Sequence, residues 1–387
     1  MWDLVLYVVW TGAFPLQSLT SILSLLAKKQ GGFRTIAVMT SFARLVLRIL
    51  APEARAWDSL VAADGDTAKQ GVRADLEIAK RALKAELAIA NGYAYIAVLF
   101  DLEKFFDSIG ADTFTNSVFN EQMPLRITGL AVQAHRGPRR LRIGTAVSRE
   151  LRATGRSILA GCTTSTSIAR TVTVDDVKRA AATGVTVGQH VDDVSFEFAG
   201  KTQAEARQKI LEAGLPFAQN LCSKGFTISS KTVVLSNCRC SASKLASSFR
   251  RSGVPATAVR EAEALGVGLA PGRRQRTATN ARLAKAGAAA RRGRVLANAS
   301  EAACKLFATG IAPRQNFGCS VAGVDEHQLA KARRNATALA GRAGTQPCAK
   351  SVIALRLGEK YDPAVDLPIA VPKVSWLVSL PHLAMPP

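Results

Sequence analysis

The sequence predicts an α+β fold with at least one antiparallel strand pair. The first observation is the continuous apolar run 93–100, bounded by Asn91-Gly92 and Asp101, which is typical of a fully buried strand. The second is a pair of strand-like segments that meet at Asp192 and Asp193, which indicates a β-hairpin. The third is the Ala- and Arg-rich stretch 273–294, whose residues have high helix propensity.

The composition points to a polyanionic partner. The 387 residues include 51 Lys and Arg against 29 Asp and Glu, which gives a formal charge of +22 and argues against an ordinary acidic metabolic enzyme. A hydrophobic fraction of 48% is enough to build buried cores and argues against general disorder. The length favours two or three domains.

The cysteines favour a reducing compartment. They number seven, are scattered, and include no CxxC pair, which argues against both a disulfide framework and a structural zinc site. Cys238 and Cys240 alone have the spacing of half a metal site. We therefore expect an intracellular protein of the nucleus or cytoplasm.

The N-terminal segment is apolar but interrupted. Residues 4–27 carry no charged side chain and are followed by Lys28 and Lys29, a pattern that a signal anchor also shows. Pro15 and six polar residues argue against membrane insertion. We expect two short core helices, broken at residues 12–15, that lead into a basic loop.

The middle of the chain reads as one helix followed by strands. Residues 67–90 are amphipathic and predict a helix. After the strand at 93–100, residues 102–109 predict a turn into a short helix. Residues 184–191 predict a second strand, and the alternation of apolar and polar residues over 194–198 predicts a third, with one buried face.

The C-terminal part is strongly basic. Residues 241–345 hold 18 Lys and Arg but only 5 Asp and Glu, and residues 264–300 contain no acid. A solvated helix face is one interpretation. Contact with nucleic-acid phosphates is the favoured one, because cations without acidic neighbours repel one another unless an anion is present. The tail from Ser351 contains several prolines and is expected to be extended or poorly ordered.

Three carboxylates at predicted strand ends have a clear chemical use. Asp101 follows one buried strand, and Asp192 and Asp193 occupy the hairpin tip. Carboxylate oxygens hold Mg²⁺, and two such ions about 4 Å apart assist phosphoryl transfer. Taken singly, each residue also has a plain structural interpretation as a turn or cap residue. Asp175-Asp176 has the same local sequence pattern but is followed by a segment predicted to be helical. We therefore expect it to lie outside the cluster formed by Asp101, Asp192 and Asp193.

The order of these segments resembles reverse transcriptases, especially the non-LTR retrotransposon and group II intron branch. The matching segments are Asp101-Leu102-Glu103-Lys104-Phe105-Phe106-Asp107 for motif A, Ala160-Gly161-Cys162-Thr163-Thr164-Ser165 for motif B, and Val191-Asp192-Asp193 for motif C. Residues 28–36 are similar to the fingers motif, and Gly225 with residues 228–232 is similar to motif D. The likeness covers roughly residues 10–240.

The resemblance implies a right-hand polymerase with an antiparallel palm sheet, mostly helical fingers and a helical thumb. It implies fingers over residues 1–90 and part of 110–160, a palm over 91–240, a basic thumb over 241–345, and a tail over 346–387. The implied partners are an RNA template, a DNA or RNA primer and dNTPs, with two Mg²⁺ ions, or Mn²⁺ in their place. Protein partners are unknown.

The resemblance also implies individual roles. Asp101, Asp192 and Asp193 would be the catalytic residues and metal ligands, and Phe106 would exclude a 2′-hydroxyl at the sugar. Residues expected to bind the nucleotide are Lys28, Arg34, Phe106, Gly161 and Lys231. The charge pattern adds a set of expected nucleic-acid contacts: Arg273, Arg274, Arg276, Arg282, Arg291 and Arg292.

Two alternatives stay open. An RNA-dependent RNA polymerase is one, since Asp101 and Asp107 resemble its spaced Asp pair. Against it, the motif B helix offers Arg170 and no Asn. A catalytically decayed nucleic-acid-binding relic is the other, because four positions depart from the family pattern: Thr35 and Thr166 replace prolines, Ala160 replaces a Gln, and His190 replaces an aromatic residue.

Overall fold

A computed structural model describes residues 2–28, 31–151, 155–272, 277–340 and 348–366. The N-terminal region forms six elements: α1 (Trp2–Thr11), β1 (Ser21–Ala27), β2 (Phe33–Val38), α2 (Ser41–Ile49), α3 (Ala51–Val61) and α4 (Ala74–Ala90). A short 3₁₀ turn, Leu16–Ser18, precedes β1.

The central region alternates strands and helices. It comprises β3 (Ala94–Phe100), α5 (Phe105–Ser108), α6 (Ala111–Asn120), α7 (Leu125–Arg136), β4 (Arg139–Ile143), β5 (Ala146–Val147), α8 (Ser165–Ala182), β6 (Thr186–His190), β7 (Asp193–Gly200), α9 (Gln203–Ser223) and β8 (Val233–Ser236).

The C-terminal region is mainly helical. Its elements are α10 (Arg239–Arg251), β9 (Thr257–Ala258), β10 (Ala262–Ala264), β11 (Val267–Leu269), α11 (Thr277–Ala299), α12 (Ala312–Asn316), α13 (Cys319–Ala322), α14 (Glu326–Ala340), α15 (Ala349–Val352) and α16 (Pro363–Asp366). Short 3₁₀ or π segments are Glu301–Cys304, Phe307–Ile311, Ile353–Leu357 and Glu359–Tyr361.

A five-stranded sheet forms the centre, in the order β6-β7-β3-β8-β9. All of its pairs are antiparallel except β8 with the two-residue β9. This arrangement confirms the predicted α+β class, and the apolar run and the hairpin form as the sequence predicts. Strand β3 is central because its uninterrupted apolar sequence can be buried on both faces.

Different side chains cover the two faces of this sheet. On one face, Phe100 packs against the rings of Phe196, Phe217 and Phe249, with ring centroids 5.3–5.9 Å apart, beneath α9 and α10. On the other, Tyr95 and its neighbours pack under α4 and the β10–β11 hairpin. Both faces of β3 are therefore buried.

The N-terminal prediction of two short helices is wrong in its second half. Helix α1 forms, but residues 21–27 are a strand that pairs antiparallel with β2 and parallel with β4. The β4 partner lies more than a hundred residues away, so local sequence could not indicate it. Among the described residues, no helix is long and apolar enough to span a bilayer.

Two further boundaries differ from the prediction. Helix α4 begins at Ala74 rather than 67, because Thr67 bonds to the backbone of Gln189 on β6 instead. The predicted extended tail is wrong for residues 351–366, which form helical turns. There Ile353 is buried beside Phe307, and Asp362 pairs with Arg333. Residues 367–387 lie outside the described part of the chain.

Candidate active site

The ends of β3 and β7 place two carboxylates side by side. Phe100 pairs with Val194 in the antiparallel ladder, so the same register, continued by one residue, sets Asp101 opposite Asp193. Residues opposite each other in such a ladder have Cβ atoms about 5 Å apart. Asp192 belongs to the two-residue turn between His190 and Asp193. The predicted convergence of these three residues therefore has a direct structural cause.

The hairpin turn is strained. Val191 has a φ of +59°, in the left-handed region that β-branched residues rarely adopt. Such a conformation costs about 1–3 kcal/mol and persists only where surrounding contacts hold it. One of these contacts is the side-chain amide of Gln189, which donates to the Val191 carbonyl at 3.3 Å.

The carboxylates influence one another electrostatically. Partial burial raises the pKa of Asp192, and the charge of Asp101 adds to the shift, while His190 and Arg34 oppose it. Partial burial also raises the pKa of Asp193, with further contributions from Asp192 and Asp101. Burial is thus the main cause of both shifts, and the like charges at this end of the sheet add to it, a repulsion that a bound cation would relieve.

The donor set suits a hard divalent cation that retains water. The described residues contain no group of three or more His, Cys, Asp or Glu side chains placed so that they could hold a metal ion together. Mg²⁺ does not require one, because it usually binds through one or two carboxylates together with waters and substrate phosphates. Asp101, Asp193 and the adjacent Asp192 fit that mode of binding.

The segment that resembles motif D holds the backbone of Asp101. The amide of Ser229 donates to the Asp101 carbonyl at 2.8 Å, and the Asp101 amide donates to Thr232 Oγ1 at 3.3 Å. Lys231 lies between these two residues and is exposed, in a turn closed by a bond from its amide to Ser229 Oγ at 3.2 Å. Sequence reasoning singled out Lys231 but missed the positioning contacts of Ser229 and Thr232.

Arg34, one of the two expected phosphate-binding residues in the fingers, acts electrostatically on the site carboxylates. It is exposed on β2 and lies close enough to lower the pKa of Asp192. Lys28 is exposed at the end of β1, where its amide bonds to the Gly32 carbonyl at 2.9 Å. Residues 29 and 30 between them lie outside the described residues.

Phe106 is half-buried and packs against the main core. Its ring lies edge-on to Phe105, with centroids 5.8 Å apart. Its carbonyl accepts a hydrogen bond from the Ile158 amide at 2.9 Å, in the loop that precedes α8. Phe106 therefore packs against the core while part of the residue stays exposed to solvent.

At Gly161 the structure shows a close approach between two parts of the protein. Its φ is +112°, and a Cβ there would lie 2.9 Å from the Ala37 carbonyl on β2. The neighbouring Ala160 carbonyl accepts from the Ala37 amide at 2.8 Å. Glycine is required here so that the loop before α8 can contact the strand that carries Arg34.

His190, one of the departures from the family pattern, has a defined partner. Its Nδ1 lies 3.0 Å from Thr67 Oγ1, and it faces Asp193 across the hairpin. Both His190 and Asp193 line a cavity of about 650 Å³ between α4, the hairpin and β10–β11. Lys80 and Lys84 of α4 line the same cavity.

A buried network of ion pairs links α8 to the segment that contacts β6. Arg170 on α8 pairs with Asp58 and, at 2.5 Å, with Asp66, and donates to the Ala68 carbonyl at 3.0 Å. Asp66 in turn bridges to Gln189 on β6. Arg170 is thus structural, a role that its position in the sequence did not reveal.

The Asp-Asp pair on α8 lies apart from the site, as expected. Asp176 is buried and pairs with Arg179 and, at 2.6 Å, with Lys224. Burial raises the pKa of Glu121, and Asp175 adds to that shift, so Asp175 lies near the end of α6.

The basic C-terminal region separates into two kinds of arginine. Arg291 and Arg292 are exposed on α11. Arg282 is engaged within the protein: it donates to the Phe317 carbonyl at 2.9 Å, lies over the Phe317 ring, and is 3.6 Å from Glu263. Arg273, Arg274 and Arg276 lie outside the described residues.

Comparison with known proteins gives likeness in structure alone. No protein-family model and no curated protein matches the sequence. Three solved structures of telomerase from Candida Tropicalis are similar. The apo form truncated from the C-terminal domain has a TM-score of 0.45 and 12% identity, over 67% of this chain and 55% of that chain.

The other two align over more of this chain. The complex with a TWJ fragment of telomeric RNA has a TM-score of 0.46 and 12% identity, over 95% of this chain and 63% of that chain. The apo form has a TM-score of 0.47 and 11% identity, over 95% of this chain and 67% of that chain. This chain thus spans between about half and two thirds of the length of the chains it matches. At these identities and TM-scores the likeness carries no information on activity or substrate.

Proposed function

We propose that this chain is an RNA-directed DNA polymerase, a reverse transcriptase of the non-LTR retrotransposon and group II intron type. The observation that carries the proposal is the register that sets Asp101 opposite Asp193, with Asp192 in the adjoining turn and Arg34 close to it. An ordinary structural aspartate pair would have an arginine or lysine partner, as Asp176 has. At the site, burial and the charge of Asp101 instead raise the pKa of Asp192 and of Asp193.

Each residue has a task in nucleotidyl transfer. Asp101, Asp192 and Asp193 would hold Mg²⁺, which when bound supplies activation of the primer hydroxyl and stabilisation of the leaving phosphate oxygen. Arg34, with Lys28 and Lys231, would neutralise the triphosphate of a dNTP. The ring of Phe106 would stand against the sugar and exclude a 2′-hydroxyl.

The template and primer would be held largely through their phosphates. Arg291 and Arg292 are exposed on α11, in a region with few acids. Such contacts are tolerant of sequence and depend on salt concentration. This arrangement suits an enzyme that must copy any template and move along it.

Primer extension tests the proposal directly. We expect Mg²⁺-dependent extension of a primer on an RNA template with dNTPs and no extension by the Asp101→Asn variant. Extension with ribonucleotides in preference to dNTPs would favour an RNA-dependent RNA polymerase instead. Template binding without any extension, in Mg²⁺ or Mn²⁺, would identify the chain as a nucleic-acid-binding relic.

A further inference from the structure

The loop before α8, residues 157–161, contacts a different part of the protein at nearly every residue. The Ser157 amide bonds to the Ile109 carbonyl and the Ile158 amide to the Phe106 carbonyl, both at 2.9 Å. At the other end, the Ala160 carbonyl and Gly161 contact Ala37 of β2. This loop therefore connects the proposed sugar-excluding ring with the strand that carries Arg34.

The middle residue of the loop is held by a side chain, that of His135 on α7. The Leu159 amide donates to His135 Nδ1 at 2.8 Å, and Nε2 lies 3.4 Å from Thr164 Oγ1. Because Nδ1 accepts a hydrogen bond, the ring is neutral and carries its proton on Nε2. That proton can be donated only towards Thr164, which immediately precedes α8.

The surroundings fix this ring in place. His135 is 2% exposed and lies edge-on to Phe114, with centroids 5.7 Å apart. Arg139 donates to the carbonyls of both His135 and Ser157, at 2.8 and 2.7 Å, so it ties α7 to the start of the loop. Burial and the charge of Arg139 keep the ring neutral.

We propose that His135 is a positioning residue for nucleotide selection, acting through the Leu159 amide to fix the 157–161 loop between Phe106 and Ala37. The inference rests on the proposed polymerase function. A buried polar ring among apolar neighbours is costly unless its hydrogen bonds are made, and an aliphatic side chain would pack there at lower cost. The bonds to the Leu159 amide and to Thr164 compensate for burying the imidazole.

Three variants separate the hydrogen bond from simple packing. His135→Asn keeps an acceptor where Nδ1 stands, facing the Leu159 amide. His135→Gln places its amide near the position of Nε2, facing Thr164, and leaves the Leu159 amide without a partner. His135→Leu removes both bonds while keeping an apolar side chain.

The readouts are KM and kcat for a dNTP, the preference for dNTP over the matching ribonucleotide, and hydrogen exchange at the Leu159 amide. We expect His135→Leu and His135→Gln to raise KM and lower the preference about tenfold each, with a smaller effect on kcat, since the buried hydrogen bond to the Leu159 amide is lost in both. The Leu159 amide should exchange faster in both. His135→Asn should stay close to the wild type in all three readouts.

Two results would overturn the proposal: His135→Gln behaving like the wild type, or His135→Asn losing as much selectivity as His135→Gln while its melting temperature is unchanged. The comparison of Asn with Gln remains decisive if His135→Leu fails to fold. Absence of extension by the wild-type protein is a different failure, since it would overturn the proposed function and, with it, this role of His135.

Discussion

The backbone amide of Asp101 donates a hydrogen bond to the hydroxyl of Thr232, which lies 131 positions further along the chain. Thr232→Val keeps the side-chain shape but removes the hydroxyl that the Asp101 amide bonds to. Because Thr232 is fully buried, water cannot take the place of that hydroxyl. An unsatisfied buried donor costs about 1–3 kcal/mol. We expect a lower melting temperature and roughly tenfold slower primer extension. Thr232→Ser retains the hydroxyl and should stay near the wild type. Equal extension rates for Val and Ser would show that this bond does not position Asp101.

The second prediction concerns the crowded carboxylates. The folded-state pKa of Asp193 is raised, so its ionisation opposes folding as pH rises through that pKa, and the stabilisation present at low pH is lost. Asp193→Asn should therefore raise the melting temperature in metal-free buffer at neutral pH and abolish extension. Asp112→Asn, at an exposed position on α6, is the matched control and should change neither quantity. A lower melting temperature for Asp193→Asn would contradict the repulsion argument.

The third prediction concerns Phe106. If its ring excludes the 2′-hydroxyl, Phe106→Ala should raise ribonucleotide incorporation far more than it lowers dNTP incorporation. The measurement is the ratio of the two extension rates on one RNA template. Phe105→Ala, which removes the neighbouring fully buried ring, should lower both rates together. A parallel fall of both rates in Phe106→Ala would make Phe106 a packing residue as well.

The fourth prediction concerns phosphate contact by α11. Replacing Arg291 and Arg292 together by Ala should flatten the slope of log affinity against log salt by about one to two, because each phosphate contact contributes about 0.7–0.9. The control is Arg126 and Arg136, two exposed arginines of α7, whose replacement should leave the slope unchanged. An unchanged slope in the α11 variant would place the nucleic-acid path elsewhere.

The fifth prediction follows from the pKa of His135, which burial and Arg139 lower from 6.5 to about 3. The unfolded chain binds a proton at this site below pH 6.5 and the folded chain does not, so the contribution of His135 to stability is complete above that pH. It is lost as pH falls towards 3, by about 1.4 kcal/mol per pH unit. Denaturant unfolding between pH 4 and pH 7 should show this slope in the wild type relative to His135→Asn, in which the site does not titrate. Parallel curves for the two proteins would contradict the assigned pKa.

Local sequence patterns were sufficient for the elements with strong periodicity. The apolar run at β3 and the Asp-Asp hairpin were both predicted, and the register between them follows once the strands pair. The pairing of β1 with β4 was not predictable, because nothing in residues 21–27 specifies a partner so far along the chain. Gly161 was predicted to bind the nucleotide, but the close approach that the structure shows there is to Ala37, which comes from another region. The Arg170 network was not predictable either, because its partners, Asp58 on α3 and Asp66 and Ala68 before α4, lie more than a hundred positions earlier in the chain.

The pairing of β3 depends on segments that are synthesised after it. This strand bonds only to β7 and β8, both made after it, and the hydrogen bond from Tyr95 to Asn237 spans 142 positions. Until residues 193–236 have left the ribosome, neither edge of β3 has a strand to pair with. Because β3 is almost wholly apolar, these unpaired edges promote association with other chains. Helices such as α4 and α7 can form from local contacts in the meantime. We therefore expect the nascent chain to need protection by a chaperone that binds extended apolar segments, until the hairpin bearing Asp192 arrives to close the sheet.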